Sequence, residues 1–266
     1  GEKQLIHSMR TVIIGTGNVA TVLSRLIRQA GHDIVQVVGR NETAARNLAV
    51  IAASKAVTDL QHLNREADLY IIAVSDDAIA PVAALLQTGR KPIVHTAGSV
   101  SKEVLKVCST NYGVLYPLQS LRREMDLLPE IPFLVDANTP DTLLFISEFA
   151  QSLSPQVAVA DDAQRLRLHL AAVFVSNFTN HLYALTEDFC EQEKLPFRLL
   201  VPLITAVAER LRQFSPAAVQ TGPALRHDTS TIQKHLELLE AHPQLKQFYE
   251  LFTASIQQLH RSPGQP

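Results

Sequence analysis

The chain has 266 residues, enough for two domains, and a 46% hydrophobic content gives both of them cores. Its formal net charge is −2 with both signs interspersed, which excludes a basic stripe for nucleic acid and an acidic tail. The cysteines, Cys108 and Cys190, form neither a disulfide framework nor a metal-ligand spacing, and polar residues or proline break the longest apolar stretches. A reduced, cytoplasmic protein with no membrane span and no metal site is therefore expected.

Thr11 to Ile14 reads as a β-branched strand running straight into Gly15-Thr16-Gly17-Asn18-Val19-Ala20. Gly15 permits a tight turn, Gly17 lets backbone approach a pyrophosphate, and Ala20 lets the next helix sit close on the strand. The helix start would hold the diphosphate through its N–H groups and dipole. A second strand, Ile34 to Val38, leads into Gly39-Arg40-Asn41. An NAD site places an acid at this tip, and none occurs until Glu42; Arg40 instead suits a ribose 2′-phosphate in charge and geometry. Gly39 would leave room for that phosphate, and Asn41 would donate to it. The cofactor expected is NADP.

A short strand at Ala56-Val57 follows, then Leu69 to Val74, Ile93 to His95, Gly113 to Tyr116 and Phe133 to Val135. Such β-branched runs alternating with amphipathic stretches predict an α/β fold with a doubly wound, mostly parallel sheet. Ligands bind across the carboxyl ends of these strands. Val74, Ser75 and Thr96 are thus expected to join Gly15, Thr16, Gly17, Asn18, Val19, Arg40 and Asn41 around the cofactor. Asp76 or Asp77 would cap the helix after the fourth strand. His95 either donates a proton or bonds backbone at its strand end.

From Ala163 to Lys194 neither glycine nor proline occurs, and further helices are expected after Pro196, from Ser230, and over Leu245 to Leu259. The second half is therefore all-α, and the expected division is a dinucleotide-binding domain at 1–160 and a helical substrate and dimerisation domain at 161–266. On a straight helix of about 100° per residue, His169, Ser176 and Asn180 fall within about 40° of one another, with Asn177 at the edge. This polar stripe is either a satisfied buried network or the wall of a polar cleft. Ser230 with Gln233 reads as a capping box, and Arg226 would pair with Asp228, a helix C-terminus or a substrate carboxylate.

Four blocks carry a resemblance: His95-Thr96-Ala97-Gly98-Ser99, Tyr116-Pro117-Leu118-Gln119, His169 through Asn177, and Gln220-Thr221-Gly222-Pro223-Ala224-Leu225-Arg226-His227-Asp228. The first domain resembles the NADP-binding Rossmann fold of pyrroline-carboxylate reductase, β-hydroxyacid dehydrogenases, prephenate dehydrogenase and deazaflavin-dependent NADP oxidoreductase. The whole chain is similar to a family of NADP oxidoreductases in which this Rossmann domain precedes a helical domain of unknown function. The resemblance implies NADP use and a homodimer built by the helical domain; a charged fraction of 19%, below the usual ~25%, also favours an oligomer. The β-hydroxyacid dehydrogenases carry a catalytic lysine where this chain has Val173, so their lysine mechanism does not transfer.

The function expected is hydride transfer between NADP and a small carbonyl or imine substrate in an interdomain cleft. The catalytic candidates are His95, His169 and Asn177. Ser99, Gln119, Ser176, Asn180 and Arg226 are assigned to substrate or interface. The alternatives are an NADP-sensing regulator without turnover and hydride exchange between NADP and a deazaflavin.

Overall fold

The computed structural model describes residues 7–263. It divides into two compact units, one up to Asn177 and one from Phe178 onward. The first unit begins β1 (Arg10–Ile14), α1 (Asn18–Gln29), β2 (Asp33–Val38), α2 (Glu42–Ile51), β3 (Ala56–Val57), β4 (Leu69–Ile72) and α3 (Asp76–Ala83). It continues through β5 (Ile93–His95), β6 (Tyr112–Pro117), β7 (Phe133–Ala137), α4 (Pro140–Leu153), β8 (Val157–Val159) and α5 (Asp162–Ala172).

The eight strands lie in the order β3-β2-β1-β4-β5-β6-β7-β8, and every pairing is parallel except β6 with β7. β1 sits inside the sheet, covered on both faces, and so reads as a continuous apolar run. Its alternating residues serve two cores. Ile13 packs with Val22, Leu23 and Phe149 on one face, whereas Val12 and Ile14 pack with Tyr70, Ile72 and Ile79 on the other. Seven strands follow the sequence pattern. β8 does not, because a three-residue strand with two exposed residues has no apolar alternation to announce it.

The parallel register of β1, β4, β5 and β6 brings Ile14, Ile72, His95 and the end of β6 to one edge. Chemistry in this fold class gathers at that edge.

Local signals misplaced several helix details. α3 is capped at the Ser75 position, and Asp76 and Asp77 lie inside its first turn, where negative charge complements the dipole. Past α5 the backbone takes π geometry over Val173–Phe178 before α6 (Thr179–Gln192). A π turn holds an extra residue, so positions after it lag by about 100° behind a straight wheel, and the polar stripe is not one continuous face.

In the second unit, α6 is followed by α7 (Val201–Glu209), α8 (Thr229–Leu238) and α9 (Pro243–Leu259). α8 starts two residues earlier than a Ser230 cap would allow, because the Asp228 carboxylate accepts from the Thr231 N–H at 3.1 Å and caps it. Among the described residues of this unit only Cys190, Ala224 and Leu239 are buried apolar side chains.

Candidate active site on the carboxyl edge of the sheet

The turn after β1 is pressed between two strand tips. The Gly15 N–H donates to the Val38 carbonyl at 2.9 Å, and φ is +122°. A Cβ on Gly15 would collide with the Ala73 carbonyl, so only glycine fits. A Cβ on Gly17, by contrast, would meet nothing within 4 Å. The helix that starts here has no capping side chain and no acid in its first turn. An uncapped, positive helix end under an open glycine is what a diphosphate requires, so the residues fit the dinucleotide.

Thr16, Asn18 and Val19 are half-buried around this turn. The Asn18 side chain does not cap its helix. Its Oδ1 accepts from the Arg123 N–H at 3.1 Å and from the Arg123 guanidinium at 3.4 Å. Arg25 donates to the Met125 and Asp126 carbonyls at 2.5 and 2.9 Å, so the segment after β6 is tied along α1. Arg123 therefore stands beside the helix start. The sequence reading missed it, since nothing local distinguishes it from a solvated loop arginine.

At the β2 tip Arg40 is exposed, and Asn41 caps α2 by accepting from the Ala44 N–H at 2.9 Å. The Asn41 oxygen is thus committed to the helix. Gly39 does not hold space for a phosphate: a Cβ there would strike the Thr16 methyl, which already fills that volume. Val74 is half-buried against the Gly15 turn, and Ser75 is exposed.

The β5 tip is stapled from within. His95 is fully buried; its Nδ1 accepts from the Ala97 N–H at 3.0 Å, and Nε2 donates to the Ser101 carbonyl at 3.2 Å. Burial pushes its pKa down to about 4, so the ring is neutral. With both nitrogens on backbone, His95 takes the second of its two expected roles, shaping the loop. The buried Thr96 hydroxyl donates to the Ile72 carbonyl at 3.4 Å, and Ser99 donates to Asp76 at 2.8 Å.

The same loop is held from α5 by Arg165, which is fully buried. Its guanidinium donates to the carbonyls of Ala97 at 3.3 Å, Val100 at 2.7 Å and Ala160 at 3.4 Å. It also pairs with Asp162 at 2.7 Å, and it lies 3.7 Å from Asp136, which Lys102 meets at 3.1 Å. Burial opposes ionisation of Asp162, but hydrogen bonds from Ser101, Arg165 and the Lys102 N–H hold its pKa down to about 2. Arg165 was also missed, because the groups that bury it, the Ala97 and Val100 carbonyls and Asp136, are remote in sequence.

Beside this loop, Tyr116 near the end of β6 meets His169 of α5, the phenol oxygen lying 3.1 Å from Nδ1. The rings stand edge to face at 6.1 Å between centroids. Burial, then the Asp76 charge, raises the Tyr116 pKa above its ordinary value, so it stays protonated.

Ser176 is half-buried and Asn177 exposed within the π segment. Gln119 braces the segment after β6, donating to the Glu130 carbonyl at 2.9 Å and accepting from the Ser120 N–H at 2.9 Å. Asn180 belongs to the second unit, where it lines a concavity with Tyr183, Glu187, Phe197 and Ile204. Arg226 is exposed there and makes no ion pair among the described residues, the Asp228 carboxylate being occupied by Thr231. A larger concavity, lined by Gln87, Lys106, Cys108 and Ser109 among others, lies at the opposite, amino edge of the sheet and away from these groups.

Residues 10–98 match the family described as NADP oxidoreductase, coenzyme F420-dependent, and residues 131–256 match a domain of unknown function, DUF2520. No curated protein matches the chain at a significant level. A Bacteroides fragilis protein provisionally named an NADP oxidoreductase is 38% identical, with a TM-score of 0.86, over 96% of this chain and 99% of its own. Two more distant structures share the fold alone. One is a 1-pyrroline-5-carboxylate reductase from Streptococcus pyogenes, at 14% identity and TM-score 0.65 over 94% of this chain and 99% of its own. The other is an imine reductase from Myxococcus stipitatus in complex with NADP+, at 15% identity and TM-score 0.61 over 94% of this chain and 93% of its own. With its dinucleotide turn, its helical second half and a full-length relative at this identity, the chain belongs to the family of NADP oxidoreductases that join a Rossmann domain to the DUF2520 helical domain.

Proposed function

We propose that the protein transfers hydride between NADP and the C=O or C=N carbon of a small substrate held at the carboxyl edge of the sheet. The observation that carries this reading is the open side of Gly17 over an uncapped α1, with Arg40 and no acid at the β2 tip. Bound NADP supplies the hydride chemistry, and the protein positions the reactants and moves a proton. Gly15, Thr16, Gly17, Asn18 and Val19 would hold the diphosphate, with Arg40 on the 2′-phosphate and Val74, Ser75 and Thr96 toward the nicotinamide. Asn41 contributes its amide N–H₂ at most. Ser99 and Gln119 flank the substrate, and His169, Ser176 and Asn177, rather than His95, are the polar groups offered to it. Titration of NADPH and NADH tests the assignment: Arg40→Ala should lose about 10- to 100-fold in NADPH affinity and little for NADH, one charge-assisted contact being worth ~1.5–3 kcal/mol. Equal losses for both cofactors would defeat it.

We also infer a homodimer formed through the helical half. A unit that buries three apolar side chains yet exposes Leu199 at 68%, Leu203 at 56%, Val207 at 51% and Phe214 at 54% lacks a sufficient core of its own. A second copy is the occupant that the family resemblance implies. We put the functional boundary near residue 160, a reading supported by the lack of any strand after β8 among the described residues. Asn180 and Arg226 lie beyond it and are assigned to the interface. Among the described residues no helix is long and apolar enough to cross a membrane. A cytoplasmic location is supported by Cys108 and Cys190, both buried and unpaired.

A further inference from the structure

We propose that Tyr116 is the proton donor of this reaction and that His169 resupplies it, an inference that rests on the oxidoreductase reading above. The titratable groups around the β5 loop are already committed. His95 has both nitrogens on backbone, Arg165 is spent on carbonyls and carboxylates, Lys102 is paired with Asp136, and Asp76 accepts from Ser99. The Tyr116 hydroxyl, half-buried, is bonded instead to an imidazole that can itself gain and lose protons. The charged groups that act on it are Asp76, from the start of α3, and Arg165, from α5.

The pair is shaped by a third residue. A Cβ on Gly98 would lie 2.8 Å from Tyr116 Cζ and 3.0 Å from both Cβ and Cγ of His169. The β5 loop is therefore wedged against both rings, and Arg165 and His95 fasten that loop from behind. Two polar side chains from different elements, set at hydrogen-bond distance by a buried glycine, form a built arrangement at the edge where the substrate is expected.

As the substrate carbon accepts hydride, the Tyr116 O–H bond breaks and its proton goes to the substrate oxygen or nitrogen. The proton on His169 Nδ1 passes to the phenolate, and Nε2 takes one from water. One solvent proton enters for each hydride delivered; the imidazole is left as its other tautomer, with the proton on Nε2, and exchange with water, Nε2 releasing its proton as Nδ1 takes one, restores the starting state.

The test compares wild type, Tyr116→Phe and His169→Gln. Long-range 1H–15N spectra of the free protein should show the His169 ring nitrogens, and Tyr116→Phe should move the Nδ1 signal while thermal melting stays close to wild type. With a panel of small ketones and cyclic imines, Tyr116→Phe should keep NADPH affinity within about twofold and slow single-turnover reduction by about 10²- to 10⁴-fold, the usual worth of a positioned acid. His169→Gln should lower kcat less and alter its pH profile. An unmoved Nδ1 signal, or a Tyr116→Phe enzyme reducing at near wild-type rate, overturns the proposal. Failure of wild-type protein to bind NADPH or to reduce any panel member would strike the oxidoreductase reading itself, and the donor role with it, whereas the spectra report on the pair separately.

Discussion

Gly98 and His169 are in such close approach that a single methyl group on the glycine would stand 3.0 Å from the imidazole Cγ. Gly98→Ala should therefore spread the Tyr116–His169 pair without touching the dinucleotide turn. The expected result is an NADPH Kd within about twofold of wild type and a kcat at least tenfold lower, since small misplacements of reacting groups are costly. Cofactor titration and steady-state kinetics on one preparation check both halves.

His95 makes stability depend on pH. Its ordinary value is 6.5, and burial lowers the folded value to about 4. Between these values the unfolded chain binds the proton and the folded one does not, so stability is fully present above about 6.5 and is lost as pH falls toward 4. The loss is on the order of 3 kcal/mol at most. Urea unfolding midpoints measured across that window should fall with pH, and His95→Gln should flatten the slope over the same range.

Arg165→Met should destabilise the first unit by about 3–5 kcal/mol, because it leaves Asp162, Asp136 and several loop carbonyls facing an apolar side chain. Arg165→Lys should not restore wild-type stability, since one ammonium cannot reach partners spread around a planar fork. Chemical denaturation of the three proteins decides it, and full rescue by lysine would mean that charge alone matters.

Wild-type protein should sediment as a dimer, and Leu203→Glu with Val207→Glu should shift it toward monomer. The two side chains are four apart on α7, share a face, and are 56% and 51% exposed in the single chain. Burying two carboxylates at an apolar contact is costly. A wild-type monomer at micromolar concentration would refute the interface.

What the sequence determined by itself was whatever depends on near neighbours. Val12, Ile13 and Ile14 alternate between two cores because strand side chains point to opposite faces, and that period is written in consecutive residues. Gly15 and Gly17 announce the turn, and the glycine-poor run after Ala163 announces helix. Tertiary structure decided the rest, because it brought together groups remote in the chain. Tyr116 and His169 are 53 positions apart, and Arg165 reaches Ala97 across 68. No local pattern marks either residue as different from a core phenol or a surface arginine. The same limit explains His95 and the polar stripe: whether an imidazole has a free nitrogen depends on which backbone folds over it, and one π turn redirects a face that a straight wheel draws as continuous.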